Sequence, residues 1–386
     1  MKLKTIKDIK NLKGKRVLLR LDLNVPLEKG KVDKDGTWRL QRSVPTIKYL
    51  LAKKAKVIIL AHLGRPGGKK ISDLSMLPVS QALSKLAKEK IEFWADDFEN
   101  YESDSLEMEN ASVAMLENIR FQPREKKNCK RLAKRLAKLG DIYVNDAFGN
   151  VHRQDSSMHA ITEYLPSYAG LLLEDEIKHL SEVVKAKKGL IMMFGGVKVA
   201  TKIQLIKKLS TNADHILVGG PLANTFLKSY GYNVGKSLYD KDYLDFAKKI
   251  LSNKIHLPVD LVVSTSMKSK KSRIIEVDEI EDDEMTLDIG PRTVEDYKRF
   301  LAKAKLIVWN GPLGYFENPL YIKASRDLLK FLAKAKAKVI IGGGETVELT
   351  RELKLQNKID FVSTGGGAMM TFLQGTKMPV LERLRK

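Results

Sequence analysis

Residues 338–350 read KVIIGGGETVELT, a short apolar run followed by three consecutive glycines and then by a polar segment. The β-branched run predicts a buried strand, and the segment after the glycines predicts the first turns of a helix. Glycines at such a turn let another group approach the backbone, and amides at a helix N-terminus bind anions. The chain has no G-x-x-x-x-G-K-[ST] motif, so the turn is not a P-loop. This stretch therefore predicts an α/β unit with an anion-binding turn of another type.

Length and composition favour two globular domains. The chain has 386 residues, of which 43% are hydrophobic, and this length exceeds that of one ordinary core. Its single cysteine, Cys129, excludes an intramolecular disulfide. We find no apolar run of about 18 residues, and the basic N-terminus has no apolar segment typical of a secretory leader. We therefore expect a cytoplasmic protein that does not bind a membrane.

The strong positive charge raises the alternative of a nucleic-acid-binding protein. The formal net charge is +22, from 69 Lys+Arg and 47 Asp+Glu. However, the lysines are spread over the whole chain without interleaved aromatic residues, and the sequence has no helix-turn-helix, RRM or zinc-finger pattern. We therefore expect a lysine-rich surface and no nucleic-acid partner. The positive field would still attract small polyanions.

Strand-like runs alternate with helical patterns along both halves of the chain. We expect strands at 15–21, 56–61, 91–94, 112–116, 142–145, 189–195, 215–220, 261–264, 306–310, 338–343 and 361–364. We expect helices at 43–55, 76–90, 201–210, 294–304 and 321–335. This alternation predicts right-handed crossovers and parallel sheets covered on both faces. The fold class is therefore α/β, with two Rossmann-like parallel-sheet domains.

The domain boundary is predicted at residues 165–189, which begin with a Pro-Ser turn and continue as one long amphipathic helix. We assign an N-terminal domain to 1–165, a hinge helix to 166–188 and a C-terminal domain to 189–374. A helix that joins two domains is a plausible hinge, and we expect a cleft between the domains.

Cationic side chains recur at the predicted strand ends of the first half. The strands run into RLDLNVP (20–26), AHLGRP (61–66), ENIRF (117–121) and NDAFGNVHRQ (145–154). A further arginine, Arg39, precedes a predicted helix. Taken singly, each arginine is more typical of a surface ion pair, and Asp22 and Asn24 are typical turn formers. Because ligands bind at the carboxyl ends of parallel strands, their recurrence predicts a site for a small acid that carries phosphate.

The strand ends of the second half carry glycines instead. The five turns are FGGVKVATK (194–202), VGGPLANTF (218–226), WNGPLGYFE (309–317), GGGET (342–346) and STGGGA (363–368). Lys198 and Lys202 are one helical turn apart and can point at the same phosphate chain, and Glu317 can accept hydrogen bonds from a ribose. This half therefore predicts a nucleotide site. An anion site and a nucleotide site joined by a hinge predict phosphoryl transfer with domain closure.

These motifs together resemble the phosphoglycerate kinase family. The resemblance rests on LDLNVP, RLQRSVPTI, AHLGRP, ENIRF, GDIYVNDAFG with VHR, GGVKV, TFLKSYGYNVGKSL, LDIGP, VWNGPLGYFE and STGGGA, which occur in order over nearly the whole chain. It implies reversible phosphoryl transfer between 1,3-bisphosphoglycerate and ADP, giving 3-phosphoglycerate and ATP, with Mg²⁺ and in a cytoplasmic monomer. It also implies that the tail, 375–386, packs on the N-terminal domain.

The resemblance also assigns roles to individual residues. The phosphoglycerate contacts are Asp22, Leu23, Asn24, Arg39, His62, Leu63, Gly64, Arg65, Arg120, His152 and Arg153. The residues assigned to catalysis are Arg39, Lys198 and Lys202. The nucleotide contacts are Gly196, Lys202, Gly220, Thr286, Asn310, Pro312, Glu317, Gly343, Gly344, Glu345 and Thr346. Glu345 is the expected ligand of Mg²⁺.

Three positions depart from the usual pattern of the family. Glu345 stands where most members carry Asp, so its longer side chain must still satisfy the near-octahedral geometry of Mg²⁺. Pro221 and Thr286 stand where glycine is common, and either can narrow the purine site or change the nucleotide preference. The second candidate function is an ATP-dependent kinase of another small carboxylate. The dense cationic set disfavours it, because such a set suits a substrate that already bears phosphate.

Overall fold

The computed structural model describes residues 1–96 and 108–386 and divides into two compact units. The first unit contains Met1–Lys178 and Lys377–Lys386, and the second contains His179–Thr376. Within the described residues, every helix is too short or too polar to span a membrane. Each unit is built around a parallel sheet, as the alternating pattern predicts.

The strands of the first unit are β1 (Arg16–Leu21), β2 (Leu27–Glu28), β3 (Lys31–Val32), β4 (Lys56–Leu60), β5 (Ile91–Trp94), β6 (Val113–Leu116), β7 (Ile142–Asp146) and β8 (Ser167–Ala169). Its helices are α1 (Lys34–Ala52), α2 (Leu77–Ala87), α3 (Lys130–Ala137) and α4 (Leu171–Lys185), and the division between the units falls within α4. Six strands form a parallel sheet in the order β5-β6-β4-β1-β7-β8, while β2 and β3 form a small hairpin.

The central strand β1 explains why this sheet is covered on both faces. Val17 and Leu19 point into one hydrophobic cluster, and Leu18 points into another on the opposite face. Because side chains alternate along a strand, the consecutive apolar residues Val17–Leu19 need apolar partners on both faces of the sheet. This apolar run favours a central position for β1 in the sheet, and the carboxyl end of the strand leads to Asp22.

Helix α1 begins at Lys34, nine residues before the predicted start at 43. Asp33 caps it by accepting a hydrogen bond from the Gly36 amide, and the helix continues through Pro45. The glycine near the start and the proline in the interior hid this helix from sequence analysis. As a result, Arg39 lies on α1 itself and not in the loop before it.

The strands of the second unit are β9 (Leu190–Phe194), β10 (His215–Val218), β11 (Ile255–His256), β12 (Asp260–Ser264), β13 (Arg273–Glu276), β14 (Met285–Ile289), β15 (Leu306–Asn310), β16 (Lys338–Gly342) and β17 (Phe361–Val362). Its further helices are α5 (Val199–Leu209), α6 (Gly220–Ser229), α7 (Leu244–Ile250), α8 (Pro291–Leu301), α9 (Lys323–Leu332), α10 (Gly344–Glu352) and α11 (Gly366–Leu373). Six strands form a parallel sheet in the order β11-β10-β9-β15-β16-β17.

One predicted strand of the second unit joins a different sheet. The LVVS run lies in β12, which pairs antiparallel with β13 and β14 in a separate three-stranded sheet. The apolar pattern identifies the strand but carries no information on its pairing direction, so our placement of this run in the parallel set was wrong. The parallel sheet instead contains β11, a strand of two residues.

The C-terminal residues belong to the first unit. Helix α12 (Pro379–Arg383) is followed by a bridge between Arg385 and Leu3, and the Lys4 amide donates to the Leu384 carbonyl at 2.8 Å. The Lys386 ammonium pairs with Asp8 at 2.6 Å, which ties this end of the chain to the N-terminal segment. The hinge role of α4 and the domain limits given above stay predictions.

Candidate active site

The topology brings the predicted cationic residues of the first unit to one edge of its sheet. Strands β6, β4, β1 and β7 are neighbours and run parallel, so their carboxyl ends lie side by side. The segments that follow these four strands carry Arg120, His62, Asp22 and Arg153, in that order across the sheet. We call the residues Asp22, Asn24, Arg39, His62, Arg120, His152 and Arg153 the cationic half-site.

Two contacts hold the first loops of this half-site. Arg39 Nη1 donates to Asp22 Oδ2 at 3.2 Å, which links α1 to the end of β1. Asn24 Oδ1 accepts from the Gly64 amide at 2.8 Å, which links the β1 loop to the β4 loop. Gly64 has φ of +62°, a left-handed conformation that favours glycine. Asp22 and Asn24 are therefore more than turn formers, because both hold neighbouring segments of the half-site.

Arg120 is a buried cation with unused donors. Its side chain is only 6% exposed, and Nη1 donates to the Gly64 carbonyl at 2.8 Å. Nη2 lies 3.8 Å from Asp155 Oδ2, which is too long for a hydrogen bond. Within the described part of the chain, Nε and Nη2 have no hydrogen-bond partner. Because unpaired buried donors are costly, this arrangement fits an anion that would occupy them.

His62 is buried among positive charges. Burial, together with the charges of Arg20, Arg120, Arg153 and Arg39, holds its pKa well below the usual value, so the ring is neutral at pH 7. Arg20 Nη2 lies 3.1 Å from His62 Nδ1. An arginine can only donate, so Nδ1 accepts and Nε2 carries the proton. His62 therefore offers an N–H donor without adding a charge.

His152 is the second histidine of the half-site. It is half-buried, and its pKa is lowered by burial and by the charge of Arg153, while Asp155 and Asp22 act in the opposite direction. Its Nδ1 is buried and has no hydrogen-bond partner among residues 1–96 and 108–386. His152 and Arg120 thus both have buried polar atoms without hydrogen-bond partners in the described part of the chain, as expected of groups that await a polar ligand.

The remaining predicted substrate residues are placed differently. The Arg65 side chain is exposed, and those of Leu23 and Leu63 are buried in the core, which leaves only backbone atoms of these leucines for a ligand. The Leu63 backbone is held by Asn118, whose Oδ1 accepts from the Leu63 and Arg120 amides at 3.3 and 3.1 Å. Asn118 was not singled out from the sequence, although it stands in the quoted ENIRF motif.

The glycines of the second unit allow backbone segments to pack directly together. A Cβ atom at Gly195 would lie 1.9 Å from the Pro312 carbonyl oxygen, and one at Gly311 would lie 2.3 Å from that of Gly195. Gly311 also has φ of +89°, in the left-handed region. Any side chain at these positions would separate the turns after β9 and β15. We call Gly196, Lys198, Lys202, Asn310, Pro312, Gly343, Gly344, Glu345 and Thr346 the glycine half-site.

Lys202 is the buried cation of the glycine half-site. It lies on α5, is 6% exposed, and its Nζ would be 3.2 Å from a Cβ atom at Gly311. Burial lowers its pKa to about 8, the charge of Glu345 raises it, and that of Lys198 lowers it. Lys198 is exposed at the N-cap of α5. The two lysines therefore occupy the same helix terminus at different depths, and both favour an anion there.

Thr346 links the turns after β15 and β16, and Asn310 lies beside them. The fully buried Thr346 accepts a hydrogen bond at Oγ1 from the Gly311 amide at 2.9 Å. Its hydroxyl therefore has a structural partner. The Nδ2 of Asn310 is buried, lies 3.4 Å from where a Gly343 Cβ would be, and has no partner in the described part of the chain. Asn310 consequently offers a free donor next to the glycine turn.

Glu345 fits a magnesium ion that is shared with phosphate oxygens. It is exposed in the first turn of α10 and lies within electrostatic range of Lys202. Across the described residues there is no group of three or more His, Cys, Asp or Glu side chains that would hold a metal alone. Magnesium in kinases is typically bound by one or two carboxylates together with substrate phosphates. A single carboxylate at this helix terminus satisfies that requirement.

The other predicted nucleotide residues lie around the same sheet edge or beside it. Gly220 begins α6 and Pro221 follows it, while Glu317 is exposed in the loop after β15. Thr286 lies on β14 of the antiparallel sheet, where its amide donates to Ser237 Oγ at 2.8 Å. The Tyr315 amide donates to the Leu287 carbonyl at 2.7 Å, so β14 contacts the loop that carries Glu317.

Comparisons with known proteins agree with this architecture. A family model described as phosphoglycerate kinase matches residues 6–376. A phosphoglycerate kinase of Pelotomaculum thermopropionicum is 40% identical over 390 residues, covering 99% of this chain and 98% of the relative. The structure resembles that of phosphoglycerate kinase from Coxiella burnetii, with a TM-score of 0.88 and 37% identity over 99% of both chains. It also resembles the Pyrococcus horikoshii enzyme, with a TM-score of 0.86, 31% identity and coverage of 99% and 98%.

Proposed function

The chain belongs to the phosphoglycerate kinase family and transfers a phosphoryl group between 1,3-bisphosphoglycerate and ADP, and we propose that the two half-sites described above carry this reaction. The observation that carries the proposal is the pair of buried, unpartnered Arg120 donors beside neutral His62, within the described residues. Such a surface matches a small acid that already bears phosphate.

We assign phosphoglycerate to the cationic half-site. Arg39, Arg120 and Arg153 supply charge, while His62 and His152 supply polar ring nitrogens. The exposed Arg65 side chain is assigned to the bound ligand, and Leu23, Leu63 and Gly64 contribute backbone atoms. Asp22 and Asn24 hold the surrounding loops, which limits the reorganisation that binding requires.

We assign the nucleotide to the glycine half-site. The N-termini of α5 and α10, together with Lys198 and Lys202, favour the phosphate chain. Gly220, Thr286, Pro312 and Glu317 are assigned to the nucleoside. Magnesium bound with the nucleotide neutralises phosphate charge, and Glu345 is its proposed protein ligand.

The proposed mechanism needs no general base. The attacking oxygen belongs to a carboxylate or a phosphate, which is already ionised at neutral pH. Arg39 and Lys198 are assigned to the equatorial oxygens of the transferred group, where charge develops, and Lys202 supports them. Transfer also requires the two substrates to meet in line, so we propose that α4 acts as a hinge between an N-terminal phosphoglycerate domain and a C-terminal nucleotide domain.

One experiment separates this function from its alternatives. Purified protein is supplied with ATP, Mg²⁺ and 3-phosphoglycerate, or with acetate or aspartate in its place, and ADP release is measured. We expect turnover with 3-phosphoglycerate and none with the other two acids, whereas turnover with acetate would favour the alternative carboxylate kinase. Filter binding of nucleic acid at about 150 mM salt tests the basic-protein alternative, and we expect negligible retention.

We further propose that the enzyme works as a monomer in the cytoplasm. The motifs of both half-sites lie within this one chain, so a second copy is not needed to complete either. Sedimentation during turnover tests the monomer, and a dimeric active species would contradict it.

A further inference from the structure

A chain of buried hydrogen bonds lies behind the cationic half-site. Arg20 is fully buried near the end of β1, and its Nε donates to Ser157 Oγ at 3.0 Å. The Ser157 hydroxyl donates to Glu125 Oε1 at 2.5 Å, and the Ser157 amide donates to Glu125 Oε2 at 3.0 Å. Glu125 itself is 1% exposed. A buried carboxylate is thus connected to a buried guanidinium through a single serine.

The other end of this chain is His62. Arg20 Nη1 donates to the Leu21 carbonyl at 2.5 Å, and Nη2 is directed at His62 Nδ1 at 3.1 Å. All three nitrogen atoms of the Arg20 guanidinium are therefore engaged, and the orientation of the group is fixed. Because Arg20 must donate, it sets the tautomer of His62 with the proton on Nε2.

We propose that Glu125 is a positioning residue for phosphoglycerate binding: through Ser157 it orients Arg20, and through Arg20 it fixes the His62 tautomer that offers Nε2–H to the substrate. This inference rests on the proposed binding of phosphoglycerate at the cationic half-site. Glu125 touches no substrate in this scheme and acts only through its hydrogen-bonded partners.

The charges around Glu125 make this positioning sensitive to pH. Burial raises the pKa of Glu125 to about 7, while the Arg20 charge and the Ser157 hydrogen bonds act to lower it. The other ionisable groups that face it are Asp155, Arg120 and Tyr143, the last from β7. When Glu125 is protonated, it no longer accepts at both oxygens. The Ser157 link to Arg20 is weakened as pH falls below about 7.

The test compares Glu125→Gln with the parent enzyme and with Glu163→Gln. Glu163 is the matched control, because its carboxylate forms ion pairs with Lys130 and Arg383 of the same unit. The KM for 3-phosphoglycerate and kcat are measured at saturating Mg-ATP between about pH 6 and pH 8. At pH 8 we expect Glu125→Gln to raise this KM about tenfold, since a hydrogen bond to a charged group is lost. The kcat should change less than threefold.

At each pH the KM of a variant is divided by the KM of the parent enzyme. This ratio cancels the effect of the ionisation of 3-phosphoglycerate itself. The ratio of Glu125→Gln to parent should approach one at pH 6, where the parent carboxylate is also protonated, and Glu163→Gln should give a ratio of one throughout. A ratio that is within twofold of one at pH 8, or below one, would overturn the proposal. A ratio below one would mean that loss of the Glu125 negative charge improves 3-phosphoglycerate binding more than loss of the hydrogen-bonded link weakens it.

Two further measurements keep the proposal testable if Glu125→Gln does not fold or if 3-phosphoglycerate proves not to be the substrate. Ser157→Ala keeps the carboxylate but removes the link, and it should raise the same KM. Long-range proton–nitrogen NMR of the His62 ring, assigned with His62→Gln, needs no substrate. We expect a protonated Nε2 in the parent and a mixed tautomer in Ser157→Ala. A protonated Nδ1 in the parent, or an unchanged tautomer in the variant, would refute the network, whereas absent turnover would refute only the proposed function.

Discussion

Replacement of Arg39 by alanine tests the assignment of charge at the transferred phosphoryl group. In the structure, one of the five N–H donors of Arg39 binds Asp22 at 3.2 Å. The remaining donors make no hydrogen bond within the described residues and are available to a ligand. Arg39→Ala therefore removes from α1 a cation and a set of free donors that lie beside Asp22, while β1 stays packed on both faces.

Two magnitudes follow from this geometry. Loss of one preorganised donor from a developing oxyanion costs about 10²–10³ in kcat. The structural cost is smaller, because the Arg39 side chain is 32% exposed and partly solvated ion pairs contribute roughly 1 kcal/mol or less. We therefore expect kcat to fall by about two to three orders of magnitude in a protein that remains folded. The affinity for ADP should stay nearly unchanged, because the nucleotide is assigned to the other unit.

The assay follows ATP-dependent phosphorylation of 3-phosphoglycerate, with ADP affinity measured by calorimetry. The matched control is Arg16→Ala. It removes the 3.1 Å pair between Arg16 and Asp141, which lies at the start of β1, whereas Asp22 follows the other end of that strand. We expect this control to change kcat less than twofold. A kcat of Arg39→Ala within about threefold of the parent, or a comparable loss in Arg16→Ala, would refute the assigned role.

Three further substitutions test the second unit. Thr346→Val leaves the Gly311 amide without its acceptor and should cost about 1–3 kcal/mol in urea unfolding and weaken ADP binding; an unchanged unfolding midpoint would contradict this. Glu345→Gln should raise the Mg²⁺ concentration needed for half-maximal activity, and an identical metal titration would exclude Glu345 as a ligand. Burial raises the pKa of Asp288 to about 8, so its contribution to stability decreases as pH rises from about 4 to 8. Asp288→Asn should therefore reduce the loss of Tm between pH 6 and pH 9, and an undiminished loss would show that this carboxyl is not responsible.

The sheet and the strand-end residues were predictable because both depend on local pattern. Consecutive apolar residues such as Val17–Leu19 of β1 specify strands buried on both faces, and parallel strands place their following residues at one edge. The recurrence of polar and cationic residues at the ends of β1, β4, β6 and β7 was therefore sufficient to expect one site. Likewise, glycines at strand ends indicated close backbone contacts, which the structure has between Gly195 and the turn after β15.

The supporting residues were not predictable for a physical reason. The proposed role of Arg20 rests on its contacts with His62 and Ser157, which are 42 and 137 residues away in sequence. In the sequence it is only a charged residue at the end of an apolar run. Glu125 similarly follows a loop and has no local feature that distinguishes it from a surface carboxylate. Burial and long-range partners decide the roles of such residues, and neither is encoded in local periodicity.

The direction of strand pairing was also outside the reach of local pattern. The apolar run of β12 is similar to those of the parallel sheet, yet it pairs antiparallel with β13 and β14. Thr286 therefore lies on the antiparallel strand β14, whose Leu287 contacts the loop that carries Glu317, and not at the end of a parallel strand. We therefore expect any contact of Thr286 with the nucleotide to come from the antiparallel sheet.

The central claim is that each substrate binds to a separate unit of the chain. Amide hydrogen exchange of the whole protein, with 3-phosphoglycerate alone and with ADP alone, measures this directly. We predict that 3-phosphoglycerate protects amides around residues 20–24, 62–65, 118–121 and 152–157, and that ADP with Mg²⁺ protects those around 195–202, 310–317 and 343–346. Protection of the glycine turns by 3-phosphoglycerate alone, with no change at the ends of β1 and β4, would contradict the claim.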